Sequence, residues 1–472
     1  MILRLALRSL LARPARSAVL ACGFGLGVAV MASLLGIGQV MLEQARAPAL
    51  RGGGDAVLAG ATGQVTSARH VLSSVLQRPP FSARIAAVSP TQRAAVYLMR
   101  NGRAVPIRAK GGVPSLERAL GDPETSSVTA WTDTSADAGW VSPDPGAVLR
   151  SMDRFHPIPE VPARAASWAE WLYFNGRSGE SRFYLTFLVG ARRPNGRRTA
   201  GARLQLDHAG RRSSYSETAE LDDARVLAEA PDLVIGTSRV RLEGLRYHLS
   251  IDLPEEGPSA PGRRAGGRRV RGELLLDAAP GRSLPPFTIR GSGGWVSGYV
   301  VPVMSGALGG ALDAGGQRLS FAGGTGYHDH NWGFWERVTW QWGQVEHDGL
   351  SFVYGRVHPP ADAADPERTP GFLAALGPQG PLGYSAEVSI EETVEPASGQ
   401  PRRVLVKGRG PSLTLTMDWD VEQALVTRMP ARAFGGGMDF FQMRGRCRVT
   451  GQAGGRPVDF VAPGSSETFR GR

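Results

Sequence analysis

The chain has 472 residues, enough for two or three domains and a substantial core. Its 54 Lys+Arg exceed its 43 Asp+Glu, yet only Lys110 and Lys407 are lysines and no aromatic-basic module accompanies the arginines, which argues against nucleic-acid binding. Cys22 and Cys447 sit in unrelated contexts, so neither a disulfide framework nor a cysteine metal site follows.

From Ser17 to Leu42 no residue is charged. Such a run can cross a hydrocarbon core roughly 30 Å thick at about 1.5 Å per residue. Residues 1–42 are therefore expected to be a short N-terminus and a retained transmembrane helix. A cleavable signal peptide is the competing reading, but its apolar core is shorter than one continuing through Leu34, Ile37, Val40 and Leu42. Arg4, Arg8, Arg13 and Arg16 precede the run and Glu43 is the first charge after it, which orients the N-terminus to the cytoplasm and the bulk of the chain outside. The Gly23 and Gly27 spacing would let a second helix approach. The opening Leu-Ala-Leu-Arg-Ser-Leu-Leu-Ala-Arg-Pro with its Gly- and Ala-rich continuation resembles the first membrane segment of FtsX-like ABC transporter permeases. That resemblance implies a bacterial inner-membrane protein, periplasmic in bulk, with ABC transporter permease or ATPase subunits as partners. No phosphate-binding GxxxxGK[ST] loop is present, so the chain is not itself the ATPase.

Residues 43–150 read as an extracytoplasmic connector, rich in Gly, Pro, Ser and Thr and ending at Ser142-Pro-Asp-Pro-Gly146. Beyond it the apolar pattern alternates: Phe183, Leu185, Phe187 and Val189; Leu204 and Leu206; Leu245, Tyr247, Leu249 and Ile251; and, later, Leu413, Leu415, Met417, Trp419 and Val421. Half-buried antiparallel strands explain this period of two. Trp295 to Val303 reads as a further strand, and the arginine clusters at 192–198 and 263–271 fall at turns. The expected fold is all-β, two tandem antiparallel barrels or sandwiches over residues 151–315 and 316–472.

The densest chemistry lies in Gly326-Tyr-His-Asp-His-Asn-Trp-Gly333, followed by Trp335, Trp340 and Trp342. On a strand His328, His330 and Trp332 share one face, and Tyr327, Asp329 and Asn331 the other. Three readings compete: a satisfied polar network joining two lobes, a ligand-binding wall, and a catalytic site. A metal is not expected. His328 and His330 have strand spacing for two ligands, with Glu336, His347 or Asp348 to complete a set, but the cupin spacing is missed. His156, His208, His248 and His358 lack comparable company and read as ordinary surface or strand residues. The tryptophans favour an apolar, elongated ligand over a sugar phosphate. No Gly-x-Ser-x-Gly turn supports a hydrolase.

The Tyr-His-Asp-His-Asn-Trp-Gly motif resembles the lipocalin-like family that contains hydroxyneurosporene synthase (carotenoid 1,2-hydratase) and AttH-type proteins. The stretch Trp168, Glu170, Trp171, Leu172, Tyr173, Phe174, Asn175, Gly176 resembles the aromatic opening of that family's first lobe. The resemblance implies two lipocalin-like barrels, no cofactor, and a hydrophobic ligand, a lipid or isoprenoid, bound by His328, Trp335, Trp340, Trp342, Trp171, Tyr173 and Asn175. In the hydratase branch it implies acid-catalysed addition of water to an alkene. Asp329, kept protonated by desolvation, would be the donor, with His330, Trp332 and Tyr354 beside it. The family's downstream Tyr-x-Asp corresponds here to Tyr354-Gly-Arg356, and an arginine cannot donate that proton. The third alternative is a permease-associated structural subunit without a ligand.

Overall fold

The computed structural model describes residues 65–471 except 66, 80, 102, 123, 124, 126, 127, 257–263 and 430–436, together with a few positions before residue 65. Nearly all of the expected anchor at 17–42 lies outside the described residues. Among those described, no helix is long and apolar enough to cross a membrane.

Ala87–Val141 belong to one unit, and Val65–Ala86 with Ser142–Arg472 to a second. In the smaller unit, β1 (Thr91–Arg100) pairs antiparallel with β2 (Arg103–Gly112). Val96, Tyr97, Leu98 and Met99 are exposed along β1. Beside the hairpin Lys110 bridges the buried carboxylates of Glu117 and Asp122.

The larger unit is built on two antiparallel sheets. The first uses β3 (Trp168–Ser178), β4 (Ser181–Arg192), β5 (Arg197–His208), β6 (Arg211–Asp222), β7 (Leu233–Ile235), β8 (Ser238–Glu243), β9 (Arg246–Glu256), β10 (Arg264–Asp277), β11 (Leu284–Arg290), β12 (Val296–Ala314), β13 (Gln317–Ser320) and β14 (Gly324–Phe334). Following the pairings β10-β12-β14-β3-β4-β5-β6-β9 and back to β10 closes a barrel; the remaining strands are short additions to it. The second sheet has β15 (Thr339–His347), β16 (Leu350–His358), β17 (Phe372–Gly377), β18 (Gly380–Ser385), β19 (Glu387–Val394), β20 (Pro401–Gly410), β21 (Leu413–Met429), β22 (Met438–Ala453) and β23 (Arg456–Gly471). Its order β18-β17-β16-β15-β23-β22-β21-β20-β19 brings the chain-adjacent strands β18 and β19 to its two ends, so it is nearly closed.

The expected alternation is present: β4 buries Phe183, Leu185, Phe187 and Val189, and β9 buries Tyr247, Leu249, Ile251 and Leu253. Both interiors are filled by side chains, the second around Phe352, Tyr354, Met417 and Trp419. A third cluster, rich in Trp and Tyr, lies between the two sheets. The division expected at residue 315 is corrected by the pairing: it falls inside the first sheet, between β12 and β13, and the motif strand β14 is held by β12 and β3. The chain passes to the second sheet only after Phe334.

β14 departs from the alternating pattern. Residues 326–334 are all buried. One face looks into the first barrel and the other onto the second. A strand covered on both sides normally reads as a continuous apolar run. This one is polar, so each face must supply hydrogen-bond partners for its own side chains.

Candidate functional site

The inner face of β14 is an ionic network. His328 Nε2 and His330 Nδ1 each lie 3.0 Å from an oxygen of Asp153, and His330 Nε2 lies 2.9 Å from Glu170 Oε1. Tyr247 donates to Asp153 at 2.9 Å, and His328 Nδ1 sits 2.9 Å from the Tyr173 carbonyl. Asp153 ends the helix Pro145–Met152, which Asp144 caps by accepting from the Ala147 amide and which Pro145 starts. That helix plugs the barrel through Leu149, with Phe155 following, and so carries Asp153 inside. The Asp153, Glu170, His328 and His330 side chains are all 0% exposed. Burial alone would raise the Asp153 carboxyl, but the charge of His328 and hydrogen bonds from both histidines outweigh it and hold the group at about 2. Burial likewise opposes the charge on His330, and its two carboxylate partners prevail, raising it to about 9.

His156 completes this network at the surface. Its ring Nδ1 is 2.7 Å from Glu170 Oε1, and its ring stacks on Trp332 with centroids 4.0 Å apart. This corrects the expectation that His156 is an ordinary surface residue. Trp332 is pressed from the other side by Gly298, where a Cβ would fall 2.0 Å from the indole, so only glycine fits. His156, Glu170 and His330 are also the set among the described residues whose atoms converge closely enough to share a metal ion. The metal partners weighed from sequence are elsewhere: His347 lies at the surface beside Asp348, 3.4 Å away.

The outer face is built differently. Tyr327 donates to Asp329 Oδ2 at 3.0 Å, with Tyr299 at 3.4 Å, and Asn331 donates to Oδ1 at 2.9 Å. The two tyrosine hydroxyls are 2.6 Å apart, and Trp342 Nε1 donates to Tyr299 at 2.8 Å. From the second sheet Glu467 accepts from Tyr173 at 2.6 Å and from Gln442 at 2.9 Å. No cation pairs with either carboxyl among the described residues. Burial therefore drives Asp329 well above the usual carboxylate range, the charge of Glu467 adds to the shift, and the tyrosine hydroxyls offset part of it. Burial raises Glu467 to about 7 against the hydrogen bonds from Tyr173 and Gln442.

This face abuts open space. A cleft of about 440 Å³, part of it open to solvent, is lined by Asn175, Tyr184, Met304, Tyr327, Gln344 and Ser465 among others. A neighbouring one of about 370 Å³ continues past Tyr184 to Gln442, the partner of Glu467. Gln344 donates to Asn175 Oδ1 at 3.3 Å, while Asn175 Nδ2 is buried without a partner.

Of the residues singled out from sequence, Asp329, Trp171, Tyr173, Asn175, Trp335, Trp340 and Trp342 meet between the two sheets. Trp171 packs on Trp335 at 4.6 Å, Tyr173 meets Trp342 edge-on at 5.8 Å, and Trp340 lies 5.6 Å from Tyr299. His328, His330 and Trp332 are on the opposite face of β14, so the set does not form one site. Tyr354 is a correction. It points into the second barrel, where Gly343 leaves room for its ring and Trp419 packs edge-on at 6.4 Å. Arg356 is held by the carbonyls of Pro366 and Glu367, not by Asp329. Sequence reading missed Asp153, Glu170, Tyr299 and Glu467. For Glu170 a signal existed: alternation places it on the face of Leu172 and Phe174, where a carboxylate requires a partner.

No family model matches the sequence, and no curated protein matches it. Among solved structures, kievitone hydratase from Nectria haematococca is similar at 13% identity and a TM-score of 0.41, covering 67% of this chain and 93% of that one. CghA in complex with Sch210972 is similar at 10% identity and 0.43, covering 68% and 94%. The chain is also similar to an AttH-like protein from Nitrosomonas europaea, at 15% identity and a TM-score of 0.41, covering 66% of this chain and 97% of that one.

Proposed function

We propose that the chain binds a hydrophobic small molecule, of lipid or isoprenoid type, in the cleft between its two barrels. The observation that carries this reading is where the space lies. Side chains fill both barrel interiors, whereas a cleft open to solvent lies between the sheets, reaches Tyr327 and Met304, and is lined by Asn175, whose Nδ2 has no partner. Phe183, Tyr184, Tyr327 and Met304 give the cleft its apolar surface, and polar side chains make up much of the rest of its lining. Residues 17–42 would anchor the protein in a bacterial inner membrane with this module in the periplasm, serving an ABC transporter. The uncharged run and the arginines before it support that placement.

The upward shift that burial imposes on Asp329 favours a second reading, acid catalysis on an alkene. Asp329 would protonate the alkene carbon and the faces of Tyr327, Tyr299 and Trp342 would shield the cation. Water would then add, and its proton would pass to Glu467, whose basicity near neutrality suits that role. Asp329 regains its proton from Glu467 through the site, so no cofactor is consumed.

Native mass spectrometry with lipid extraction, on the full chain purified from its own host, tests both readings. A co-purifying apolar molecule is expected, and incubating it with the protein shows whether it gains water. Asp329→Asn should keep the ligand and abolish any hydration. A chain that carries nothing and takes up nothing from host lipid extracts would rule out the binding reading.

A further inference from the structure

The mouth of the same cleft is basic in a way that stability does not explain. Arg177 on β3 and Arg182 on β4 are directly paired across the hairpin that joins these strands. Like charges at directly opposed positions of an antiparallel pair destabilise it. Both line the cleft, together with Ser305, Thr325, Gln344 and Ser465. Two carboxylates are near: Glu346, 3.8 Å from Arg177 and on the same wall, and Asp207, directly opposite Arg182 on β5 but ion-paired with Arg444 at 2.8 Å and Arg212 at 3.7 Å. Arg182 makes no ion pair among the described residues. Arg177 is partly desolvated, and its guanidinium is disfavoured first by that burial and then by the charge of Arg182, against the pull of Glu346. The adjoining cleft continues this charged row, with Asp207 set between Arg182 and Arg212 in the strand register and taken up by Arg212 and Arg444.

We propose that the Arg177 and Arg182 pair seats an anionic head group, a carboxylate or a phosphate, so that the ligand of the inter-barrel cleft is an amphipathic anion and not a neutral hydrocarbon. This rests on the cleft being the binding site. Guanidinium forks match both head groups in geometry, and two of them converging on one anion relieve the repulsion between them. The apolar part would then run inward past Met304 toward Tyr327, leaving its far end nearest Asp329.

The test compares oleate, oleyl phosphate and oleyl alcohol binding to the full chain in nonionic detergent, followed by tryptophan fluorescence, for the parent protein and Arg182→Gln. Arg182 is half-exposed and outside both networks on β14, so the variant is expected to fold; its circular dichroism checks this. Oleate or oleyl phosphate should bind about tenfold or more tightly than the alcohol, and Arg182→Gln should erase that advantage while leaving the alcohol unchanged. The preferred anion identifies the head group. Equal affinities for all three probes, or anion binding indifferent to Arg182→Gln, would overturn the inference and leave the cleft standing as a neutral site. Failure of every probe would overturn the cleft reading and this inference together.

Discussion

The two faces of β14 meet acids of the same kind, all of them buried, and bring them to opposite states. On the inner face Asp153 and Glu170 meet His328, His330 and His156, and both are held below the usual carboxylate range. Across the strand Asp329 and Glu467 meet hydroxyls and amides, and both are raised. The difference is the presence of a cation, not the depth of burial. A buried acid paired with imidazolium gives up its proton and becomes part of the scaffold, whereas one surrounded by neutral donors keeps it and can give it to something else. The open cleft lies on the side of the second kind, reaching Tyr327, the partner of Asp329.

The sharpest way to break this comparison is to neutralise one acid on each face. Asp153→Asn leaves buried His328 without its counter-ion and His330 with Glu170 alone, and removing one partner of a buried pair typically costs about 3–5 kcal/mol. Asp329→Asn replaces a neutral acid by a neutral amide of the same shape and is expected to cost no more than about 1 kcal/mol. Chemical denaturation of the two variants measures both. Equal losses would mean that Asp329 is ionised after all and that the outer face is a second scaffold network.

Much of this contrast was legible in the chain, though not all of it. Alternation separated His328 and His330 from Asp329 and Asn331, and the aromatic stretch at Trp168 marked the strand that pairs with them, Tyr173 directly opposite Asp329. What alternation cannot give is which barrel a face looks into, and hence Tyr354, a correct strand residue, was expected at a site from which the second barrel's interior separates it. Nor can it give partners distant in sequence. Asp153 lies 175 residues before His328, in a short helix whose depth depends on the barrel it plugs, and Glu467 arrives from the last strand.

Titration sharpens the same comparison with a smaller effect. On the inner face, Asp153 at about 2 contributes stability that is present above its unfolded value, about 3.9, and is lost as pH falls through 2. His330 at about 9 contributes stability that is complete below its unfolded value, about 6.5, and is lost as pH rises through 9. Glu467 has the sign of His330 although it is an acid. Raised to about 7, it favours the folded state below its unfolded value, about 4.3, and that contribution disappears as pH rises through 7. Stability should therefore decline between about pH 4.3 and 7, with Asp329, also raised, contributing in the same direction, and Glu467→Gln should lessen that slope while leaving the acid limb due to Asp153 in place. Denaturation midpoints across this range read the result, and a slope undiminished in the variant would take Glu467 out of it.

The finest probe compares two tyrosines that differ mainly in the acid they serve. Tyr247 donates to Asp153 at 2.9 Å and Tyr327 donates to Asp329 at 3.0 Å, and both rings are buried. A hydrogen bond to an ionised acceptor contributes about 1.5–3 kcal/mol, against about 1 kcal/mol between neutral groups. Tyr247→Phe should accordingly destabilise the protein more than Tyr327→Phe, even though Tyr327 also lies 2.6 Å from the Tyr299 hydroxyl and 3.3 Å from Trp342 Nε1. Those extra contacts work against the expected order, which makes the comparison strict: if Tyr327→Phe proves the costlier change, Asp329 is accepting hydrogen bonds as a carboxylate, and the proton that the second reading requires is not there.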